Sequence, residues 1–453
     1  MKRPFLSLLV LLAAPWVAAE NAPPTPSATP LVVTPDFVNR LAEEMRTNHP
    51  ALKAAASRAR AARAGAAAVR TWEDPMVVVG GMGADEEMRA QEGDILYGVE
   101  QRLPLGGKPQ AARRAAQARI AVSEADENNQ FQIRRRDLAQ ALMKAAAADE
   151  IVALDSEDLR WLGTLAASAE QRYRLGDTPL NQLLRIQNDQ ARRTEQLTTD
   201  RQRRAEAIAT VNRLLGRDLQ SPWPALRLPP PAGVVAYTPR LAALASDYDP
   251  RAATQRAMIR EAEAGLEVAR RSRFPDISLG AEARNHSGDG EFRQAMITLR
   301  FGLPWVNGGR YRHDVAREAA TVEAAQAEAT DLSRAIGEEV FRLTLDIDAA
   351  RREALLYRDS VVPRSEKALE SAHSAWLANR GQFWDVLEAR RMLLEGQAMY
   401  VRAVSEQYQA LTELVLCCGL GDLESLSMIG ARPESNERRN SPAPAANPQP
   451  LSH

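Results

Sequence analysis

Apolar residues recur at mixed spacings of three and four over long stretches of the chain, which is the period of one face of an α-helix. Charged residues separate the members of one such run, which consists of Leu138, Leu142, Ala145, Ala148 and Val152. The two longest stretches cover residues 109 to about 175 and 311 to about 378. At a rise of about 1.5 Å per residue, each would extend on the order of 100 Å. The pattern predicts long helices that pack as coiled coils, with small residues allowing close approach.

Two pairs of shorter segments alternate apolar and polar residues instead, which is the period of a β-strand. They cover residues 76–83 and 95–103 in the first half and 277–284 and 292–303 in the second. The alternation is clearest where Ile277, Leu279, Ala281 and Ala283 interleave with Ser278, Gly280, Glu282 and Arg284. Because proline and glycine bound the segments, each pair is predicted to form a hairpin with one apolar face, over 76–103 and 277–303.

The same landmarks occur in both halves of the chain and in the same order. Thr34-Pro35 and Thr238-Pro239 each place a capping residue before a proline suited to the first helical turn. Three further landmarks recur 200 residues later, namely Pro50 as Pro250, Pro75 as Pro275 and Leu103-Pro104 as Leu303-Pro304. We therefore predict two repeats, 31–220 and 238–421, each with a helix of about 20 residues, a hairpin, a long helix and a return helix. The Pro-rich segment 221–237 is predicted to link them in an extended conformation.

The two ends of the chain lie outside this plan. Lys2 and Arg3 precede an apolar run and a small-residue cleavage site, so residues 1–19 are predicted to be a signal peptide. The last segment, 432–453, is rich in Pro, Asn and Ser and is predicted to be disordered. No later stretch approaches the roughly 18 continuous apolar residues of a membrane helix, so strands would have to make any membrane crossing.

Composition and charge narrow the class of protein. Aromatic residues make up only 5% of the chain and charged residues 26%, which favours long helices packed side by side. The 58 basic and 59 acidic residues give a formal net charge of −1, so no nucleic acid partner is expected. Gly106-Gly107-Lys108 lacks the fuller spacing of a phosphate-binding loop, and no Gly-x-Ser-x-Gly elbow occurs. Neither enzymatic activity nor a cofactor is therefore predicted.

Four amphipathic strands pose a physical problem if they enter a membrane. Strands in lipid must close into a ring, because unpaired edge groups cannot bond to water there. The smallest common membrane barrels use about 8 strands, so several copies of this chain would have to share one barrel. The predicted fold class is mainly α with a small membrane β-barrel portion, in which each chain supplies duplicated long coiled-coil helices and two β-hairpins.

The signal peptide, the duplicated plan and three landmarks together resemble the TolC-type outer-membrane factors. The landmarks are Pro50, the run Leu103-Pro104-Leu105-Gly106-Gly107-Lys108 and Phe274-Pro275-Asp276. The resemblance implies a homotrimeric α/β barrel duct in the outer membrane of a Gram-negative bacterium, surrounded by lipid and extending into the periplasm. It also implies two partners, a periplasmic adaptor (membrane fusion) protein and an inner-membrane RND-type pump. The run from Glu100 to Lys108 is most similar to the heavy-metal resistance, CzcC-like branch, which implies metal cations as the cargo.

Two glycines mark the ends of the long helices. Gly176 and Gly381 stand where a residue able to take positive φ is needed to reverse the chain. A purely structural turn is one interpretation. The family resemblance implies another, in which the adaptor docks at tips formed by Leu175, Gly176, Arg380 and Gly381. Arg380 departs from the small or aliphatic residue that the family usually has beside this glycine.

Two carboxylates follow the second tip closely. Asp385 and Glu388 are three residues apart and therefore share one helix face, where a solvated stripe is the simplest interpretation. By resemblance, this segment narrows the tunnel of family members, so three-fold repetition would make an acidic ring that attracts cations. The corresponding residues of the first repeat, Gln182 and Arg185, could bond to those carboxylates and hold the tip closed.

The cysteines and histidines give little support for a metal site. Cys417 and Cys418 occupy the place of Leu214-Leu215 in the first repeat, which favours a buried apolar role over soft-metal binding. The five histidines are scattered without the close spacing of metal ligands. No resident metal is predicted.

Two alternative functions remain open from the sequence. The same fold could export drugs or serve as a type I secretion duct. Alternatively, the chain could be a soluble periplasmic coiled-coil adaptor whose four strands pack into a small domain.

Overall fold

The computed structural model describes residues 30–82, 94–176, 178–286, 290–378 and 380–420. The predicted signal peptide and the predicted disordered tail lie outside these residues. The first half contains, in order, β1 (Leu31–Val32), α1 (Pro35–Asn48), α2 (Pro50–Ala68), β2 (Met76–Met82), β3 (Asp94–Leu103), α3 (Lys108–Arg174) and α4 (Leu180–Leu215). Then follow β4 (Leu226–Arg227), α5 (Pro239–Tyr248), α6 (Pro250–Ser272), β5 (Ile277–His286), β6 (Phe292–Phe301), α7 (Gly308–Leu356), α8 (Val362–Leu377) and α9 (Phe383–Cys417).

The predicted mainly α fold with long helices and two hairpins is confirmed. Helix α3 alone contains 67 residues, which corresponds to a length of about 100 Å. No helix in the described part of the chain is both long enough and apolar enough to cross a membrane.

The second long helix is not continuous as predicted. A π-helical turn over Tyr357–Val361 separates α7 from α8. Pro363 explains the interruption, because proline has no N–H to donate and its ring clashes with the carbonyl group four residues earlier in an α-helix. A locally wider turn relieves that clash.

The predicted helix starts at Pro35 and Pro239 are confirmed, and threonine caps both. The Thr34 hydroxyl accepts a hydrogen bond from the backbone N–H of Phe37 at 3.3 Å. The Thr238 hydroxyl accepts one from the N–H of Leu241 at 3.1 Å. Each cap satisfies a donor that the first helical turn leaves without a backbone partner.

Two helices precede each hairpin, where the sequence predicts one. The breaks fall at His49 and Asp249, whose ψ angles of 123° and 128° are not helical and which stand before Pro50 and Pro250. Proline disfavours the helical conformation of the residue before it, so the first helix ends at that residue. The side chains of His49 and Asp249 then cap α2 and α6.

The four long strands form one antiparallel sheet in the order β2-β3-β5-β6. Paired residues share a face, so Val77, Val99, Ala281 and Ile297 lie in one row across the sheet. This face is mostly apolar and exposed, with Val77 at 73% and Ile297 at 79% of full exposure. The opposite face carries polar side chains that include Glu100, Ser278, Glu282 and Arg300. The sheet therefore has an uncovered apolar side and a polar side.

The linker packs against the helices instead of running free. Its strand β4 pairs in parallel with β1, and we call residues 30–33 and 225–232 the belt. On α3, Asp149 and Glu150 accept hydrogen bonds from the backbone N–H groups of Leu226 and Leu228. On α9, the fully buried Gln407 side chain bonds to both backbone groups of Ala232. These contacts fix the belt to one side of the α3–α9 pair.

The main apolar core lies beside the belt. It contains residues of α1, α3, α4, α7 and α9, among them Met45, Leu142, Val211 and Leu414. Away from this core, α3 packs along both α4 and α9, and α8 packs along α9. These four helices form a long arm that ends in the two turns at residues 175–179 and 378–382.

Candidate functional site

The first tip has an exposed end. Gly176 has a φ of 83°, as predicted for the reversal, and a Cβ added there would meet no atom within 4 Å. Leu175 beside it is 77% exposed. An apolar side chain that stands free at the end of a helical hairpin is available for contact with a partner.

The second tip differs from the prediction. Gly381 is not among the glycines with positive φ, so the expected reason for glycine at this position is wrong. Glycine is needed here because there is no room for a side chain. A Cβ at this position would lie 2.9 Å from the Cβ of Ala375 and 3.1 Å from the backbone N of Trp376. Arg380 is exposed beside it.

A small apolar core holds the two tips together. It is formed by Leu165, Ala169, Leu183, Ile186, Trp376, Phe383 and Val386. The Trp376 ring contacts Phe383 edge-on, with centroids 5.4 Å apart, and the Arg172 guanidinium stacks over it at 4.5 Å. The tips of the two helical hairpins therefore form one packed unit.

The two predicted gate carboxylates have different surroundings. Asp385 is exposed in the first turn of α9, where a negative charge is favourable beside the positive end of the helix dipole. Glu388 is half-buried and lines a cleft between α3, α4 and α9. We call this space, about 600 Å³ in volume, the arginine cleft.

The predicted partners of those carboxylates lie nearby on α4 without bonding to them. Arg185 lines the arginine cleft with Glu388, and its guanidinium carbon lies 5.6 Å from the centroid of the Trp384 ring. Within the described part of one chain, neither Gln182 nor Arg185 forms a hydrogen bond or ion pair with Asp385 or Glu388. The structure therefore brings Arg185 and Glu388 to the same cleft, and the predicted closing bonds are not made inside one chain.

A buried ion-pair cluster lies at the floor of the arginine cleft. Asp158 on α3 is only 2% exposed and accepts from Arg193 Nε of α4 at 2.8 Å and from Arg390 Nε of α9 at 2.8 Å. Arg193 also donates to Asp155 at 3.0 Å. One carboxylate thus bonds to both return helices, α4 and α9. It links the helical hairpin of the first half, α3 and α4, to the helical hairpin of the second half, α8 and α9.

Asp155 shares a hydrogen bond with a second carboxyl group, that of Asp200 on α4. Burial and this neighbour raise the pKa of Asp155 to about 6. Burial also raises the pKa of Asp200, but hydrogen bonds from Asp155, Gln196 and Arg203 outweigh it and lower that pKa. The two groups therefore titrate as a pair, which holds one proton above the usual carboxyl range.

The sequence gives only a weak signal of this cluster. Asp155 and Asp158 are one helical turn apart on α3, in the region where apolar residues otherwise recur. Their arginine partners lie 38 and 232 residues away in the chain. Pairing at such separations follows from the packing of the helices and cannot be read from local spacing.

The polar face of the sheet carries a second network. The Glu100 carboxylate accepts from the Ser278 hydroxyl at 2.5 Å and pairs with Arg300. Arg300 also lies 3.5 Å from Glu282. Gly98 leaves room for Glu282, whose Cγ would lie 2.7 Å from an added Cβ. The network ties β3, β5 and β6 together on the face opposite the apolar side.

The adjacent cysteines are buried, as the sequence predicts. Burial raises the pKa of both thiols, that of Cys418 to about 12. Among the described residues, no group of His, Cys, Asp and Glu side chains is arranged to hold a metal ion.

Comparison with protein families gives a match over most of the chain. The model of a family described as outer membrane efflux protein matches residues 41–217 and 242–420. The two matched segments correspond to the two halves that carry the repeated landmarks.

Individual relatives and solved structures agree with this match. The pyoverdine export outer membrane protein OpmQ of Pseudomonas putida is 24% identical over 420 residues, covering 85% of this chain and 86% of that protein. The cobalt-zinc-cadmium resistance protein CzcC of Cupriavidus metallidurans is 22% identical over 168 residues, covering 37% of this chain and 40% of that protein. The outer membrane protein VceC of Vibrio cholerae has the same fold, with a TM-score of 0.71 at 19% identity over 85% of this chain and 97% of that chain.

Proposed function

The chain belongs to the outer membrane efflux protein family, and from that premise we propose that it is the outer duct of a tripartite export assembly. As a family member it is an efflux channel of the outer membrane. In the proposal, three copies form one channel that crosses this membrane and extends through the periplasm. A periplasmic adaptor protein and an inner-membrane RND-type pump complete the assembly.

The uncovered sheet is the observation that carries the proposal. Its apolar face is exposed over all four strands, and β2 and β6 each have one edge without a strand partner in the described chain. Lipid would cover the face, and pairing with neighbouring copies would satisfy the edges. Since every pairing in the sheet is antiparallel, β6 of one copy can meet β2 of the next in the same sense. Three copies would supply twelve strands, more than the about 8 of the smallest membrane barrels.

The helical arm supports contact with partners in the periplasm. Helix α3 extends about 100 Å, and the arm ends in tips that expose Leu175 and Arg380. In the proposal, Leu175, Gly176, Arg380 and Gly381 form the surface that meets the adaptor.

Two classes of cargo have support. Metal cations are supported by the similarity to CzcC, which covers 37% of this chain, and by the acidic pair Asp385 and Glu388. Export of a compound such as pyoverdine is supported by the similarity to OpmQ, which covers 85%. In a strain that lacks the gene, hypersensitivity to metal ions that the intact gene reverses would favour the first class. Normal metal tolerance together with retention of an exported organic compound would favour the second.

The proposed acidic ring can be tested in single channels. Replacing Asp385 and Glu388 by alanine removes two negative charges from each of three copies, so leak conductance should rise or the permeability of cations relative to anions should fall. Glu157→Ala, which removes an exposed carboxylate of α3 that lies beside the belt and forms no ion pair in the described chain, is the control. Single-channel currents identical to those of the wild type would rule out the ring.

The proposal as a whole is tested by reconstitution. The purified protein should require detergent, migrate as a trimer and conduct ions when inserted into a planar lipid bilayer. A monomer that stays soluble without detergent and gives no conductance would support the alternative of a soluble periplasmic adaptor.

A further inference from the structure

The belt identifies which side of the helical arm faces outwards. It packs on one side of the α3–α9 pair, where it is held by Glu150 of α3 and Gln407 of α9. In a tube made of three copies, three such belts on the inner side would obstruct the passage. The belt must therefore lie on the outer surface of the duct that we propose above, and the present inference rests on that duct.

The arginine cleft lies on the other side of the same helix pair. At 3.6 residues per turn, Asp155 of the cleft and Glu150 under the belt point about 140° apart on α3. Arg402 of the cleft and Gln407 under the belt are also about 140° apart on α9. The groove under the belt and the arginine cleft share no lining residue. The arginine cleft consequently faces the bore.

Positive charge predominates in this cleft. Seven arginines and five carboxylates line it. Three arginines are neutralised in the buried cluster, where Arg193 and Arg390 bond to Asp158 and Arg203 bonds to Asp200. The excess is two positive charges in each chain.

The unpaired arginines reach solvent. Arg192 of α4 and Arg391 and Arg402 of α9 are exposed, and within the described chain none of them forms an ion pair. Arg185 stacks on Trp384. Unpaired carboxylates are fewer, namely Asp189 and Glu388. Guanidinium groups remain charged at every pH at which the protein is folded, so this excess is permanent.

We propose that the arginine cleft forms a cationic section of the bore that selects anionic cargo, such as small molecules that bear carboxylate or phosphate groups. Three-fold repetition places three such clefts around one passage. A narrow passage with walls of one sign concentrates ions of the opposite sign and disfavours ions of its own sign. Guanidinium groups also pair directly with carboxylates and phosphates through two parallel hydrogen bonds. This inference favours anions over the metal cations that the acidic pair at the tip suggests.

Ion selectivity of the reconstituted channel tests the inference. The purified wild-type trimer is inserted into a planar bilayer between two KCl solutions of unequal concentration, and the reversal potential is measured. We expect a reversal potential whose sign shows that chloride permeates faster than potassium. In the variant with Arg192→Gln, Arg391→Gln and Arg402→Gln, this preference should be lost or reversed, because Arg185 is then the only cleft arginine without an ion pair and faces two unpaired carboxylates, Asp189 and Glu388.

A matched variant controls for the loss of charge alone. Arg160, Arg227 and Arg358 line the groove under the belt, on the outer side, and their triple replacement by Gln changes the net charge equally. It should leave the reversal potential unchanged. A wild-type channel that prefers potassium, or two triple variants that shift the potential equally, would overturn the inference while leaving the duct intact. A purified trimer that conducts no ions, either as the wild type or with Asp385 and Glu388 replaced by alanine, would refute the duct, and the inference with it.

Discussion

The link between the two helical hairpins depends on one buried carboxylate, and its removal should loosen the arm. In Asp158→Ala, Arg390 loses its ion-pair partner while remaining only 11% exposed, and Arg193 loses one of two. Leaving one member of a buried ion pair without its partner costs about 3–5 kcal/mol. Arg193 is 27% exposed and keeps Asp155, so we expect the lower end, about 3 kcal/mol. At about 1.4 kcal/mol per factor of ten, local opening should become about a hundredfold more frequent.

Hydrogen exchange measures that opening directly, residue by residue. Amides of α3 near Asp158 and of α9 near Arg390 should lose protection by this factor in the trimer, whereas those of the belt side near Gln407 should not. Asp189→Ala removes a carboxylate of the same cleft that has no ion-pair partner, so its effect should stay within about 0.5 kcal/mol. Unchanged protection in Asp158→Ala, or an equal loss in Asp189→Ala, would refute the linking role.

Three further predictions concern other parts of the fold. The pKa of Asp155 is raised from 3.8 to about 6, so the folded state binds a proton that the unfolded state has released. The stability of the folded state should therefore fall as pH rises through this range. Thermal melts at several pH values should show this loss in the wild type, and a flatter profile in Asp155→Asn would confirm that Asp155 is its source. Gly419→Ala places a Cβ 2.4 Å from the carbonyl oxygen of Tyr248 at a φ of 60°, whereas Gly176→Ala at a φ of 83° meets no atom within 4 Å. Gly419→Ala should therefore lower the melting temperature more than Gly176→Ala, and equal effects would show that backbone strain alone decides. Burial raises the pKa of both Cys417 and Cys418, so a water-soluble maleimide should label them only after denaturation; rapid labelling of the folded trimer would contradict the buried placement.

Local signals in the sequence predict most of the fold. Threonine before proline gives the helix starts at Pro35 and Pro239, and strict alternation gives β5, because both features depend on residues next to each other in the chain. The break before Pro50 can also be predicted from the sequence, since proline restricts the conformation of the residue before it. The long helices can be predicted almost entirely from the spacing of their apolar residues.

The features that sequence reasoning misses depend on tertiary packing. The pairing of β1 with β4 involves two residues from each strand, far apart in the chain, and so short a strand has no recognisable period. Gly381 is required by the close approach of Ala375 and Trp376 and not by its own φ. The ion pair between Asp158 and Arg390 spans 232 residues. Each of these features can be predicted only after the packing of the helices and the linker is known.

A map of the purified protein in detergent, obtained by single-particle electron microscopy, tests the central claim most directly. We expect three copies around one axis, with β6 of each copy paired to β2 of the next, the row of Val77 and Ile297 facing detergent, and the arginine cleft facing the bore. A particle that contains a single copy, with the apolar face of its sheet packed against its own helices, would contradict the account.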